Sequence, residues 1–486
     1  MKKKKLLSLV LTCLMASSTL VGCGGKTKDP AAANKDQVTI KWASWENTYV
    51  AREMAAKFTA KHPNIKVDVV DMGGWFGNDI LSKKAAAGEM PDIFNVENPA
   101  IPVQNKWVLD LKPYLDKDKE KKFYPNLVET GTFDGKVIML PTYIFGHGVI
   151  INKSLLKSNN IPIPKYDWTI DEYMNIIEKT TKGQTIGTNE YLSLMKHIPP
   201  QMNDKLGWGT WNGKAYDLGE EWQYAANISK QIVDKNLSLY ALIDTLPNPW
   251  DAAEGSPERT KAENDVKALL KAKFGVEDGT DLYLKGSVAT WWDFTWGLGI
   301  DKNPKFGGFE WDFYPVPVKE KGKVSRPPVV ADSLAIASNS KHPDEAFEFI
   351  KYICYSPEAF DDRVEIVKNY KKADVAVKYP DIKADKISDT ISFDHMPAVN
   401  DQAVRDKWLE FTNAKEGVAN TINNLDKAYI DGFKYVPDFD TAYHKTIEKG
   451  FKDQVLTGKK TPADIAPELE QKGNDITNAA INAMKK

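Results

Sequence analysis

The sequence predicts an α/β fold spread over more than one domain, and three observations point there. Beyond residue 37 strand-like and helix-like patterns alternate at the spacing of a doubly wound layout, parallel strands joined by right-handed crossovers. The 486 residues are enough for two or three domains, and 42% apolar residues can bury a sizeable core. Finally, Tyr283 to Leu298, YLKGSVATWWDFTWGL, reads as a buried strand ending in three tryptophans and a carboxylate.

The chain opens with a segment that stands apart from the fold. Lys2 to Lys5 are cationic, and Leu6 to Leu20 are apolar or small over a length too short to span a bilayer as a mature helix. Leu20-Val21-Gly22-Cys23 then resembles a bacterial lipobox. The expectation is a signal peptide over 1–22, cleavage before Cys23, and lipid on that cysteine. Residues 23–37, rich in Gly, Ala, Lys and Asp, cannot bury enough surface to order themselves and read as a tether. The mature protein is therefore expected on the outer face of the cytoplasmic membrane. Of three cysteines only Cys354 remains for the folded part, so no intramolecular disulfide is expected. Its apolar helical setting makes it a small core residue.

Within the fold, Val38, Ile40 and Trp42 alternate with polar or small neighbours as a first strand. Glu46 to Phe58 follows as a helix stopped by His62-Pro63, Ile65 to Val70 as a second strand, Asp79 to Ala87 as a second helix, and Pro91 to Val96 as a third strand. Open α/β sheets bind ligands beyond the carboxyl ends of their strands. Those ends carry Ser44, Trp45 and Glu46, then Gly73, Gly74 and Trp75, then Asn95 and Glu97. The later strand Ser287 to Trp292 delivers Trp291, Trp292, Asp293 and Trp296, either to a ligand or to a core tryptophan cluster.

The runs KFTAKHPNIKVDVV, AAAGEMPDIFNVEN, FDGKVIMLPTYIFGHGVIINKSLL, YLKGSVATWW, GFEWDFYPVPV and ADSLAIASNSKHPDEAFEFIKYI follow one another along the mature chain. In that order they are similar to the extracellular solute-binding proteins of carbohydrate ABC importers, a family that includes maltose-binding protein. The resemblance implies a two-lobed periplasmic-binding-protein-like fold of type II, each lobe a mostly parallel sheet flanked by helices, with hinge crossings between them. It divides the chain into lobe 1 (38–144 and 331–435) and lobe 2 (145–330 and the C-terminal helices 436–486). Pro141 to Gly148 is the expected first crossing and Val329 to Leu334 the return. Two segments depart from the family: 187–282, with GWGTWNG and NPWDAAEGSPERT, and 363–434.

Sugar rings offer apolar C–H faces to indoles and hydroxyls to carboxylates and amides, so the candidate contacts are Trp45, Glu46, Trp75, Asn95, Glu97, Tyr143, Trp292, Asp293, Trp296 and Asp332. Trp296 falls where relatives that bind maltodextrins carry a stacking tryptophan. For the others a structural reading stands beside the functional one. Glu46 is an early-turn acid, Trp75 a loop-packing ring, Asn95 and Glu97 strand-end caps, and Asp332 and Ser333 partners of the hinge backbone. Tyr143 and His147 lie on the first crossing, His147 as a satisfied hinge residue. Trp208, Trp211, Trp222 and Trp250 either pack the unusual segment or build a further subsite.

Other classes find less support. The net charge of −2 gives no field for nucleic acid. The six histidines lack metal-site spacing, and Gly-x-Ser-x-Gly, Gly-x-Gly-x-x-Gly and Walker motifs are missing, so neither cofactor nor catalysis is expected. A glycoside hydrolase would need two carboxylates at fixed separation, and no local motif singles out such a pair. A surface adhesion lipoprotein would explain the lipobox but not the ordered resemblance. The expected partners are an oligosaccharide or other sugar, the membrane through Cys23, and ABC permease subunits, the protein itself acting as a monomer.

Overall fold

The structure, a computed structural model, describes residues 37–72, 74–391, 393 and 395–485. The signal segment, Cys23 and the tether up to residue 36 lie outside the described residues, as does Gly73.

Among the described residues the strands are β1 (Val38–Ala43), β2 (Ile65–Val70), β3 (Ile93–Val96), β4 (Thr132–Phe133), β5 (Lys136–Val137), β6 (Leu140–Asn152), β7 (Ile186–Thr188), β8 (Val288–Phe294), β9 (Trp311–Tyr314), β10 (Pro328–Ile336), β11 (Met396–Pro397) and β12 (Tyr429–Ile430). Apart from the β4–β5 hairpin they join one mixed sheet ordered β2-β1-β3-β10-β6-β8-β7, with β9 and β11 on β6 and β12 on β10. The three amino-terminal strands run parallel, as the alternation predicts. Beyond them only β7–β8 and β10–β12 are parallel pairs.

The organising element is β6. Thirteen residues long, it pairs with β10 over Leu140–Gly146 and with β8 over His147–Ile151, so one continuous strand serves both halves of the sheet. Val149 and Ile151 join Trp292 and Tyr314 in the core on one face of the second half, whereas Ile150 joins Trp291 and Phe313 on the other. That is the period of two that a strand buried on both faces requires. The first half has its own core, where Ile40, Trp42, Phe58 and Phe349 pack together. The long 363–434 segment is folded rather than loose. Its Val404, Trp408, Val418 and Ile422 share a core with Ile144 and Val329 of the crossing strands and with Phe313 of the second half.

Helix ends follow local chemistry. The first helix runs Thr48–Lys61, two residues later than its apolar spacing suggests, because the Asn47 side chain accepts from the Tyr49 and Val50 amides and caps it. Glu46 is thereby excluded from the helix. The Ile170–Thr180 helix falls where its pattern places it, closed by a Thr169–Glu172 capping box. Cys354 is 1% exposed in the Pro343–Tyr355 helix, and burial pushes its thiol up, as befits a core residue.

Candidate ligand-binding cleft

Strand directions bring two sets of strand ends together. Because β3 is antiparallel to β10 and β10 to β6, strands β1, β2 and β3 advance along β6 toward its middle. Strand β8 runs against β6 and β7 with β8, so these two come back toward the same middle. Two sets of carboxyl ends therefore face each other. The β3 end, Val96, is level with Ser333 and hence Pro141, and the β8 end, Phe294, with His147. Five residues of β6, Thr142 to Gly146, lie between them, four of them buried, so about 20 Å of strand separates the two walls.

On the first wall indoles stand over an internally bonded frame. The Trp45 amide donates to Asn95 Oδ1 (3.1 Å) and its indole Nε1 to the Phe76 carbonyl (3.1 Å), which fixes the ring 6.2 Å from Trp75. Trp75 itself is 61% exposed. Asn95 is buried, and its Nδ2 donates to the Ser333 carbonyl at 3.4 Å. Glu97 Oε2 accepts the Asn78 amide at 2.7 Å, a carboxylate at the start of the Asn78–Ala86 helix where the dipole favours it. A Cβ at Gly77 would sit 2.7 Å from that oxygen, so a larger residue there would push the carboxylate aside.

Glu46 is more deeply committed. Its buried carboxylate is ion-paired with buried Arg363 and accepts from the Tyr143 hydroxyl at 3.1 Å, while the Arg363 guanidinium lies 4.3 Å over the Tyr143 ring. Burial pushes the Tyr143 hydroxyl well up, so it stays a donor. The early-turn reading of Glu46 is thus corrected: it precedes the helix cap and serves a buried ion pair. Asp332 pairs with Lys434 (2.8 Å), whose ammonium also lies 4.5 Å over the Trp45 ring.

The second wall is arranged differently. Strand β8 continues two residues past Trp292, so Asp293 and Phe294 are strand rather than turn, and the following 3₁₀ segment Thr295–Lys302 carries Trp296. Trp292 is 3% exposed; its indole donates to the Tyr173 hydroxyl (3.1 Å), and its amide to Asn189 Oδ1 (2.8 Å). As a ligand contact it is therefore corrected to a core residue. Trp296 is 46% exposed, with one face on Phe294 (4.0 Å between centroids), which in turn lies on His147 (4.1 Å). The edge contact with Phe145 braces it further. Asp293 shares its strand face with Trp291, accepts the Phe294 amide at 2.7 Å, and has no ion-pair partner among the described residues. Burial pushes its carboxyl up to about 6.

Behind this wall His147 Nδ1 and His197 Nε2 lie 2.8 Å apart, and His197 Nδ1 is 3.3 Å from the Tyr429 hydroxyl on β12. Burial lowers His147 to about 3 and His197 well below its usual range, so one neutral imidazole donates and the other accepts. His147 is in this sense satisfied.

Sequence reasoning missed four residues here. Arg363 and Lys434 neutralise acids distant in sequence, and no local pattern marks them. Glu190, at the end of β7, accepts the Tyr191 and Ser193 amides. Tyr240 is 36% exposed beside Trp291 (6.2 Å) and is held by its amide on the Asn189 carbonyl. The available signal was Ser238, whose side chain caps the short helix carrying Tyr240. Of the tryptophans in the unusual segment, Trp208, Trp211 and Trp222 are buried and Trp250 is 76% exposed. Among the described residues no group of three metal-ligating side chains occurs, and no helix is long and apolar enough to cross a membrane.

Two facing walls of strand ends, joined by a strand common to both halves, are the architecture of a two-lobed binding protein. The chain belongs to the family of bacterial extracellular solute-binding proteins, whose profile matches residues 42–359. No curated protein matches the sequence. Among solved structures, a sugar transporter from Rhizobium etli in an open conformation is 18% identical, with a TM-score of 0.64 over 90% of this chain and 100% of that one. An ABC substrate-binding protein from Listeria monocytogenes in complex with cycloalternan is 18% identical, with a TM-score of 0.61 over 91% and 100%. The cyclic alpha-maltosyl-1,6-maltose binding protein from Arthrobacter globiformis is 16% identical, with a TM-score of 0.62 over 91% and 100%. All three share the two-lobed fold. Members of the family are binding proteins rather than enzymes.

Proposed function

We propose that this chain is the membrane-tethered receptor of an ABC importer, and that it captures a sugar, specifically an oligosaccharide, between its two lobes. Lobe 1 comprises 38–144 and 331–435, lobe 2 comprises 145–330 and 436–486, and Cys23 carries the lipid. The observation that carries this reading is the presence of exposed indoles on both walls, Trp75 on the first and Trp296 on the second. Trp45, Trp75 and Trp296 stack on pyranose faces, and Asp293 accepts sugar hydroxyls. Asn95, Glu97, Glu46, Tyr143 and Asp332 hold the walls in place.

Magnitudes favour several sugar units. Micromolar affinity corresponds to about 8 kcal/mol. A ring contact contributes about 0.5–1.5 kcal/mol beyond its area, and a hydrogen bond to a charged group about 1.5–3 kcal/mol. One ring and one carboxylate are not enough. Closure over the ligand then presents both lobes to the permease, and the ligand must favour the closed form by at least what closure costs. A glycoside hydrolase would instead use Asp293, with its raised carboxyl, as general acid.

Titration of the protein with a glycan panel, followed by tryptophan fluorescence, calorimetry and product analysis, tests the proposal. Saturable binding with the glycan recovered intact is expected. Cleaved product, or no binding across neutral and charged glycans, would reject it.

A further inference from the structure

The most exposed aromatic ring of the described residues lies outside both sets of strand ends. Trp250 is 76% exposed, against 61% for Trp75 and 46% for Trp296. It is nonetheless held. Asn248 Oδ1 accepts its amide at 3.1 Å in the Pro249–Asp251 turn, and the Arg259 guanidinium covers one ring face at 4.2 Å. Arg259 is itself paired with Glu263 at 3.1 Å, so the indole is clamped by a neutralised cation and its remaining surface is open.

Topology locates this ring. Strands β7 and β8 are parallel, and the chain between them must leave β7 at the cleft end and return to the far end before β8 begins. Ser238 bridges Thr188 and its hydroxyl donates to the Asn189 carbonyl, so the chain turns over the cleft end of β7, where Tyr240 sits. The return is made by the helix Pro257–Phe274, whose last turns, Leu270 and Phe274, pack with Ile186 and Val288 at the far ends of the strands. Eighteen residues of helix span about 27 Å, and seven residues of β8 span about 23 Å. A crossover helix running back along the strands from their far ends brings its start, with Arg259 and Trp250, toward the cleft end of lobe 2.

We propose that Trp250, clamped by Arg259, is an outer stacking platform for a glycan at the rim of lobe 2, continuing the path from Trp296 past Tyr240. The inference rests on the receptor reading above and sharpens it: the ligand is a neutral oligosaccharide extending beyond the units held between the walls. The unusual segment thus sets ligand length.

The test uses the full chain in detergent and neutral gluco-, galacto- and manno-oligosaccharides of two to eight units, with affinity measured as a function of length for the parent, Trp250→Ala, Trp250→Phe and Trp296→Ala. Trp250→Ala is expected to weaken the longer glycans about three- to tenfold and leave the shortest unchanged, with Trp250→Phe retaining most of the gain. Trp296→Ala is expected to weaken every length. Equal affinity of parent and Trp250→Ala at all lengths, or a uniform loss, would overturn the platform while leaving the receptor intact. Failure of the parent to bind any glycan would overturn both. Loss of uptake in cells with unchanged glycan binding would assign Trp250 to a protein contact and overturn the inference.

Discussion

The two walls use the same residue types for opposite ends. On the first wall every candidate acid or amide is spent internally: Glu46 on Arg363, Glu97 on a helix amide, Asn95 on the Trp45 amide and the Ser333 carbonyl, Asp332 on Lys434. Only the indoles remain for a partner. On the second wall the tryptophan nearest the strand centre is spent on the core, whereas Asp293 has no ion-pair partner among the described residues and Trp296 is braced from behind with its ring half exposed. The first wall thus presents an apolar platform on a rigid polar frame, and the second supplies both a ring and a charge. In the proposed receptor, orientation of the ligand then comes chiefly from the second wall.

The largest expected effect breaks the frame of the first wall. Glu46→Gln leaves Arg363 buried without its counter-charge, a loss of about 3–5 kcal/mol of stability. Chemical denaturation measures it directly. A loss below about 1 kcal/mol would mean that Glu46 is free for a ligand, and the contrast between the walls would collapse.

The next effect concerns the charge on the second wall. With its carboxyl raised to about 6, Asp293 is ionised above that pH and neutral below it. Glycan affinity is therefore expected to fall as pH drops from 7.5 toward 5, and Asp293→Asn to bind weakly and with a flat profile over that range. Stability carries the opposite sign. Between about 4 and 6 the folded state holds the Asp293 proton more tightly than the unfolded chain, so this group favours folding as pH falls. The His147–His197 pair does the reverse: both are lowered by burial, so stability drains as pH falls below about 6.5 toward 3. Two lowered histidines outweigh one raised carboxyl, and the net acid limb should be destabilising. Calorimetric melting across pH, beside glycan titration, separates the two.

The parts of this picture legible in the sequence are those with a local cause. The Ile170–Thr180 helix follows from its capping box and apolar face, and the parallel strands from their alternation with helices. Trp292 and Trp296 illustrate the limit. Both stand in one aromatic run, but β8 is central and buried on both faces, so alternation alone does not tell which ring leaves the core; the end of the strand decides, and it falls at Phe294. The Glu46–Arg363 pair joins residues 317 apart and the Lys434–Asp332 pair residues 102 apart. Nothing nearby in the chain announces either one, so the sequence does not show that Glu46 and Asp332, read as ligand contacts, are held in ion pairs.

The smallest effect tests whether the first wall is as ready as the second. Lys434 lies over the very ring that a pyranose would use, 4.5 Å from Trp45, while held to Asp332 at 2.8 Å. A stacked sugar on that face must displace it. A cation–π contact contributes about 0.5–1 kcal/mol even where solvent screens it, and Lys434 is only 12% exposed, so Lys434→Met should tighten glycan binding at least about two- to fivefold. The thioether chain is shorter in reach and carries no charge to compete, and Asp332 is released to accept a hydroxyl. Trp45→Ala in the same background should abolish the gain, because the gain comes from the uncovered ring. If Lys434→Met instead weakens binding, the ammonium is itself a ligand contact, and the first wall contributes charge as well as a surface.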